Sequence, residues 1–190
     1  PGTLFEHVCL DFLSMPEATG IDGKLTDFIC VCVDRLSGYI ILIPMMKAGS
    51  TSTVVAGALM REVFLNFGVP STITTDNDIR FTSQWWTDLA KTLNVDLHFS
   101  LPYRPQGNGV AEAANSRLLR VLRTMLLENR LQPTTWPQLL PFAKWVLNDS
   151  PGSVGYSANQ LVFGRDLLGI EDVKALRVVS SPLSAEAWVE

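Results

Sequence analysis

Hydrophobic and polar positions along the chain alternate between two periods. Residues 5 to 13, FEHVCLDFL, read as a strand with a polar interruption, and MPEATGIDGK after it reads as a Gly/Pro-containing loop. Two apolar runs follow, FICVCVD at 28 to 34 and YIILIP at 39 to 44. The tetrapeptide RLSG between them suits a hairpin turn. Runs that are apolar almost without a break mark strands covered on both faces.

From Ser50 the period lengthens to that of a helix. Ser50 or Thr51 can cap it, and Val54, Val55, Ala58, Leu59, Glu62, Val63 and Phe67 recur at helical spacing. Gly68 and Pro70 stop it. A short strand, STITT, runs into Asp76, a second helix covers Ser83 to Leu93, and a strand follows at Val95 to Phe99. SLPYRPQGN has no periodicity and reads as a loop. A long helix from Gly109 to Asn129, another from Thr135 to Asn148 and a short piece at Ala158 to Phe163 complete the pattern. Strand, hairpin, then strands joined through helices predict an α/β domain with a mixed sheet. The folded unit is expected over residues 1–166, with 167–190 as an extension without a clear fold signal.

Composition narrows the classes. The 190 residues are 47% hydrophobic and 18% charged, which is globular rather than disordered. Such a chain can bury a large core without disulfides or a structural metal. No apolar run is long enough to predict a membrane helix. The opening PGTLFEHVCL lacks the features of a signal peptide, and a Pro start is expected of a fragment or processed product. Cys9, Cys30 and Cys32 sit in apolar runs, as expected of reduced, buried thiols in an intracellular protein. With only His7 and His98, a Cys/His zinc module has too few ligands. The net charge of −4 argues against a basic nucleic-acid-binding tail.

Three carboxylates stand out by position. Asp11 lies inside the first strand between Leu10 and Phe12, where a charge is costly unless paired or metal-bound. Asp76 lies where the STITT strand ends, the place where ligand sites in α/β sheets collect. Glu112 lies in the first turn of the long helix. Three carboxylates suit a hard, oxygen-seeking cation, Mg²⁺ or Mn²⁺, better than Zn²⁺. Two such ions about 4 Å apart can activate an attacking oxygen and stabilise a leaving one in phosphoryl transfer. By composition alone, a solvated or capping role is the commoner fate of each acid.

The flanking residues change that balance. Asp76 lies in TTDNDIRFTS, Glu112 lies in YRPQGNGVAEAANSRL, and 35 residues separate the two. This resembles the catalytic core of a retroviral-type integrase, most similar to those of gypsy-type long-terminal-repeat retrotransposons. The family pattern has an Asp on the first strand, an Asp ending the fourth, then 35 residues and a Glu in a P-Q-x-x-G-x-x-E run, here Pro105 to Glu112. Supporting matches are DRLSGY (Asp34, Ser37, Tyr39), FGVP at 67–70, FTSQWW at 81–86, WPQLLPFAKWVLN and LVFGR. The likeness covers about residues 5–166. It departs at Asp78, where many relatives carry Gly, at Arg104, where His is common, and at Ala113, where Arg or Ser is common. None of these removes one of the three carboxylates.

The resemblance implies a ribonuclease-H-like fold, with a five-stranded mixed sheet flanked by helices. It implies Asp11, Asp76 and Glu112 as catalytic residues and as ligands of two Mg²⁺ or Mn²⁺ ions. It implies a polynucleotidyl transferase and endonuclease activity: 3′-end processing of element DNA, then strand transfer into target DNA. The implied partners are element DNA ends and target DNA, together with further copies of the chain as a homodimer or higher homo-oligomer. No membrane is implied. The implied location is intracellular, in a virus-like particle or the nucleus. Other readings of the same fold are a domesticated core acting as a binding or assembly module, and a ribonuclease H, whose carboxylate order differs.

With Glu112 set at 0° and about 100° per residue, Asn115, Ser116, Arg120 and Arg123 share its broad face of the long helix. Ala114, Leu118, Val121, Leu122 and Met125 take the opposite, core-facing side. Asn115, Ser116, Arg120 and Arg123 are therefore candidate DNA contacts, with Tyr103 and Gln106 in the preceding loop. An ordinary solvated helix face gives the same pattern. Residues 104 to 144 hold six basic and two acidic side chains, so the positive charge of an acidic chain gathers around this helix. In the last long helix Trp136, Leu139, Phe142 and Trp145 form a bulky stripe that suits core packing or a dimer interface. Trp85 and Trp86 are adjacent, so a helix cannot turn both fully inward.

Overall fold

A computed structural model describes residues 2–100, 109–152 and 154–169. Five strands, β1 (His7–Thr19), β2 (Leu25–Asp34), β3 (Ile40–Met45), β4 (Thr72–Thr75) and β5 (Asp96–Phe99), form one sheet in the order β3-β2-β1-β4-β5. The pairs β1–β2 and β2–β3 are antiparallel, and β1–β4 and β4–β5 are parallel. The helices are α1 (Ser52–Leu59), α2 (Leu65–Phe67), α3 (Ile79–Thr82), α4 (Gln84–Thr92), α5 (Gly109–Glu128), α6 (Trp136–Asp149) and α7 (Ala158–Phe163). This is the mixed sheet that the sequence pattern predicts, with the five strands and flanking helices that the family resemblance implies.

Both faces of β2 and β3 are buried, which explains their unbroken apolar runs. Cys30, Cys32, Ile41 and Ile43 pack with Val55, Leu59, Val63, Phe81 and Trp86 on the side of α1 and α4. Ile29, Val31, Val33, Ile40 and Leu42 pack with Ala114, Leu118, Leu122, Trp136 and Leu147 on the side of α5 and α6. The alternation along each strand sends successive residues to opposite layers. All three cysteines are buried free thiols. Burial pushes the Cys30 thiol up to about 12, so it packs as a small apolar group.

The structure departs from the sequence pattern in three places. Residues 15 to 19 continue β1 rather than open a loop: Ala18 pairs Thr26 and Thr19 pairs Leu25 after a register shift following Ser14. Pro16 and Glu17 occupy that irregularity, where a missing donor and an exposed charge are tolerated. The Pro16 carbonyl there accepts the indole N–H of buried Trp136 at 2.8 Å. The first long helix is not uniformly α: a π-helical turn at Met60–Phe64 links α1 to α2. A one-turn helix, α3, precedes α4 and carries Phe81 into the core.

Two polar residues fix the hairpin and its edge. Asp34, fully buried, accepts the Phe5 N–H at 3.0 Å, the Ser37 N–H at 2.9 Å and the Ser37 hydroxyl at 2.6 Å. Gly38 supplies the left-handed turn, at φ 72°. DRLSGY is thus a turn-building segment. On edge strand β3, the buried Asn148 of α6 accepts the Ile40 N–H at 2.7 Å and donates to the Ile40 carbonyl at 2.9 Å. One side-chain amide thereby satisfies both outward backbone groups of an edge residue. Asn148→Ala leaves both unpaired beneath α6. Denaturant unfolding should show a loss of about 3 kcal/mol, at roughly 1–2 kcal/mol per orphaned group.

Candidate active site

Strand pairing directs the first two carboxylates to one face of the sheet. The parallel register of β1 and β4 aligns His7 with Thr72, Val8 with Ile73 and Cys9 with Thr74. Asp11 and Asp76 each lie two residues beyond that last pair. Alternation puts both on the face shared by Cys9 and Thr74, the face that α5 covers over β1 and β2. Asp76 lies just past the end of β4, half-buried, and its Oδ1 accepts the Asp78 N–H at 3.2 Å.

The long helix brings the third. Ala111, Ala114, Leu118 and Leu122 bury one side of α5 against the sheet, with Val121 and Met125 partly buried beside them. Asn115 turns toward β1, and its Nδ2 donates to Asp11 Oδ2 at 2.8 Å. The other carboxylate oxygen, Oδ1, accepts the Phe12 N–H at 2.8 Å. Glu112 lies three residues before Asn115, on the same side of the helix and exposed to solvent. The Asn115 Oδ1 is buried without a hydrogen-bond partner among the described residues.

These neighbours act on Asp11. Burial pushes its carboxyl above the ordinary range; the Phe12 N–H opposes this, and the negative charges of Asp76, Glu112 and Asp78 add to the rise. Asp11 therefore lies within electrostatic reach of both Asp76 and Glu112. Among the described residues, no three His, Cys, Asp or Glu side chains gather closely enough to hold a metal ion as they stand. The donor chemistry still suits a hard cation: oxygen ligands only, mutual repulsion around a half-buried Asp11, and an unpartnered buried amide oxygen beside it.

Asp78 does not add an unbalanced charge to this group. It caps α3 by accepting the Arg80 N–H at 2.9 Å, and it forms a two-point ion pair with the Arg80 guanidinium, Nε at 2.6 Å and Nη2 to the second oxygen. The hydrogen bonds and charge of Arg80 hold the Asp78 carboxyl below its ordinary range despite burial. The guanidinium carbon in turn lies 4.0 Å from the Phe12 ring centroid and 4.4 Å from that of Phe28.

The predicted DNA-contact residues divide. Ser116, Arg120 and Arg123 are exposed along α5. Asn115 is half-buried and engaged with Asp11 rather than displayed to solvent. Tyr103 and Gln106 lie outside the described residues. The aromatic stripe of α6 also divides: Trp136 is in the core, whereas Phe142 and Trp145 are exposed. Trp86 is buried and Trp85 is not. Two roles escaped the sequence reading. The hold of Asn115 on Asp11 was hidden because helical spacing gives a face, not its partner. Arg80 gave no signal beyond its spacing from Asp78.

Known proteins resolve the family. A family model described as the integrase core domain matches residues 5–105. The chain belongs to the integrase core family. Its class is the retroviral-type integrase catalytic core. It is 40% identical over 164 residues to the Pro-Pol polyprotein of Simian foamy virus type 3 (strain LK3), covering 85% of this chain and 13% of that polyprotein. It is 37% identical over 133 residues to the Transposon Tf2-3 polyprotein of Schizosaccharomyces pombe (strain 972 / ATCC 24843), covering 70% of this chain and 9% of that one. The integrase core thus spans a small part of each polyprotein.

Solved structures agree on the fold. A chain of the simian T-cell lymphotropic virus intasome, solved in complex with a PP2A regulatory subunit, superposes with a TM-score of 0.67 at 23% identity. That match covers 87% of this chain and 57% of the other. The HTLV-2 integrase catalytic core, solved with magnesium in a trimeric form, gives 0.60 at 20% identity, covering 82% and 95%. The fold is accordingly ribonuclease-H-like.

The raised Asp11 carboxyl makes a stability prediction with a definite sign. A carboxyl held above its unfolded value destabilises the fold when ionised, and the penalty disappears as pH falls through the folded value to below the unfolded one. Without divalent ions, Asp11→Asn should therefore melt higher than the unsubstituted chain at pH 7. The gap should close on acidification; a lower melting temperature at pH 7 would contradict the assigned electrostatics.

Proposed function

We propose that this integrase core joins DNA by metal-dependent phosphoryl transfer, with Asp11, Asp76 and Glu112 as its ligand set. The observation that carries the reading is the strand register that turns Asp11 and Asp76 to one face, with α5 anchored to Asp11 there through Asn115. In the proposed reaction water first attacks a phosphodiester near the 3′ end of element DNA. The freed 3′ hydroxyl then attacks a phosphodiester of target DNA, one bond forming as another breaks. One or two Mg²⁺ or Mn²⁺ ions, when bound, would lower the pKa of the attacking oxygen and offset charge on the leaving oxygen.

The chain's own residues supply position. Asn115 and the Phe12 N–H occupy one acceptor site on each Asp11 oxygen and fix the carboxylate plane. The Asp78 N–H holds one oxygen of Asp76, Oδ1. Glu112, exposed at the first turn of α5, closes on the pair to complete the set. Ser116, Arg120 and Arg123 extend from that turn along the exposed side of α5 and are assigned to DNA phosphates. Tyr103 and Gln106, in the segment leading into α5, are assigned to the same substrate. The short basic block on an acidic chain predicts weak, metal-dependent DNA binding by this core alone.

Homo-oligomerisation belongs to the same proposal. Phe142, Trp145 and Val146 form an exposed apolar patch on α6, at helical spacing beside the buried Leu147. We assign that patch to pairing between copies. No helix of the described residues is long and apolar enough to cross a membrane. An intracellular location, in a virus-like particle or nucleus, and an extension role for residues 167–190 complete the reading.

Two experiments check it. Asp76→Asn and Glu112→Gln should each abolish strand transfer by the complete integrase on labelled DNA ends with Mg²⁺ or Mn²⁺, while circular dichroism stays unchanged. Strand transfer surviving in either variant would remove that residue from the ligand set. Cleavage of an RNA–DNA hybrid without DNA joining would instead support the ribonuclease reading. For pairing, sedimentation equilibrium should show Trp145→Glu shifted toward monomer, because a charge placed in an apolar contact loses its hydration.

A further inference from the structure

The β1–β4 ladder ends at Cys9↔Thr74, two residues short of both aspartates. The register fixes the face that Asp11 and Asp76 share, but not the distance between them. On the opposite face of the sheet, a residue next to Asp11 meets one four positions after Asp76. Phe12, next to Asp11, stacks with Phe28 at 4.8 Å and with Phe81 at 5.0 Å. Arg80, four residues after Asp76, lies over Phe12 and Phe28 at 4.0 and 4.4 Å. Its guanidinium binds both oxygens of Asp78, whose own N–H reaches back to Asp76 Oδ1.

We propose that Arg80 is a positioning residue that clamps the Asp76 segment to the Asp11 strand and so sets the separation of the two carboxylates. The ion pair is mostly sheltered, with side-chain exposures of 13% for Arg80 and 19% for Asp78. At that burial a cation over aromatic faces and a two-point ion pair are both well above their surface strength. The chain of contacts is continuous: Asp11 to Phe12 by the backbone, Phe12 to Arg80 by the ring face, Arg80 to Asp78 by the ion pair, and Asp78 to Asp76 by an N–H. It closes a loop around the sheet exactly where strand pairing stops. Asp78 is the member that makes the Arg80 fork possible. Arg80 itself touches no substrate and acts only through the two aspartates.

The inference rests on the assignment of Asp11 and Asp76 as metal ligands, and the test separates the two. Mn²⁺ binding to the intact chain is followed by electron paramagnetic resonance of free Mn²⁺, at a temperature where every variant is folded. The unsubstituted chain should bind, and Asp11→Asn should not. Arg80→Met keeps the aliphatic cover over Phe12 and Phe28 but removes the cation, and should weaken binding about 10-fold, the usual effect of losing an outer-shell partner. Arg80→Lys, which restores a cation over the rings without the fork, should fall between the two. A role in stability alone would lower the melting temperature and leave the Mn²⁺ affinity of the folded protein unchanged, and that result would overturn the clamp. Should Arg80→Met not fold, Asp78→Asn breaks the same fork from the other side and is judged by the same criterion. No Mn²⁺ binding by the unsubstituted chain would sink the metal-ligand assignment itself, and the clamp with it.

Discussion

The parallel pairing of β1 with β4 is the constraint on which the site depends. These strands are separated in sequence by the β2–β3 hairpin and the helices α1 and α2, so their contact is purely tertiary. Because side chains alternate with a period of two, a slip of one residue would send Asp11 or Asp76 to the opposite layer. That layer is filled by Phe81, Trp86 and the α1 side chains, where an ionised carboxylate has no place. Burial on both faces therefore fixes the register, and the register fixes the face that the two carboxylates share. The candidate site and the core are specified by the same alternation.

A cost accompanies this arrangement. Placing like charges together around a half-buried Asp11 raises its carboxyl and works against folding. The surrounding structure supplies the compensation: α5 packs through Ala111, Ala114, Leu118 and Leu122, and Asn115 presents an amide to Asp11. The small residues Ala111 and Ala114 let the helix approach the sheet closely, which brings the Glu112 turn over β1. Local strain at a site held by a well-packed frame is the usual balance between stability and function in such proteins.

Elsewhere, buried polar residues settle what apolar patterning leaves open. Asp34 organises the hairpin turn through three accepted hydrogen bonds, and Asn148 closes the open edge of β3 from α6. The strongest strands were legible because residues 28–33 of β2 and 40–45 of β3 are apolar without a break. The continuation of β1 past Ser14 was not, since Pro16 and Glu17 read as loop residues and only the pairing with Thr26 and Leu25 holds them in the sheet. The π-helical turn was also hidden, because one extra residue barely disturbs the spacing of Val55, Leu59 and Val63. In α6 the aromatic stripe was visible as a whole, but which members face inward depends on where Trp136 meets Pro16.

The sequence by itself pointed to the family and singled out three candidate carboxylates, because the motifs around Asp76 and Glu112 that carry the resemblance, and the spacing between them, are local properties of the chain. It also determined which side of α5 packs inward, since a helix has a fixed period. Only the tertiary structure decided what touches the carboxylates. Asn115 meets Asp11 across 104 positions of chain, and Arg80 meets Phe12 and Phe28 across the sheet. Such contacts follow from packing layers and strand register, which no local pattern encodes.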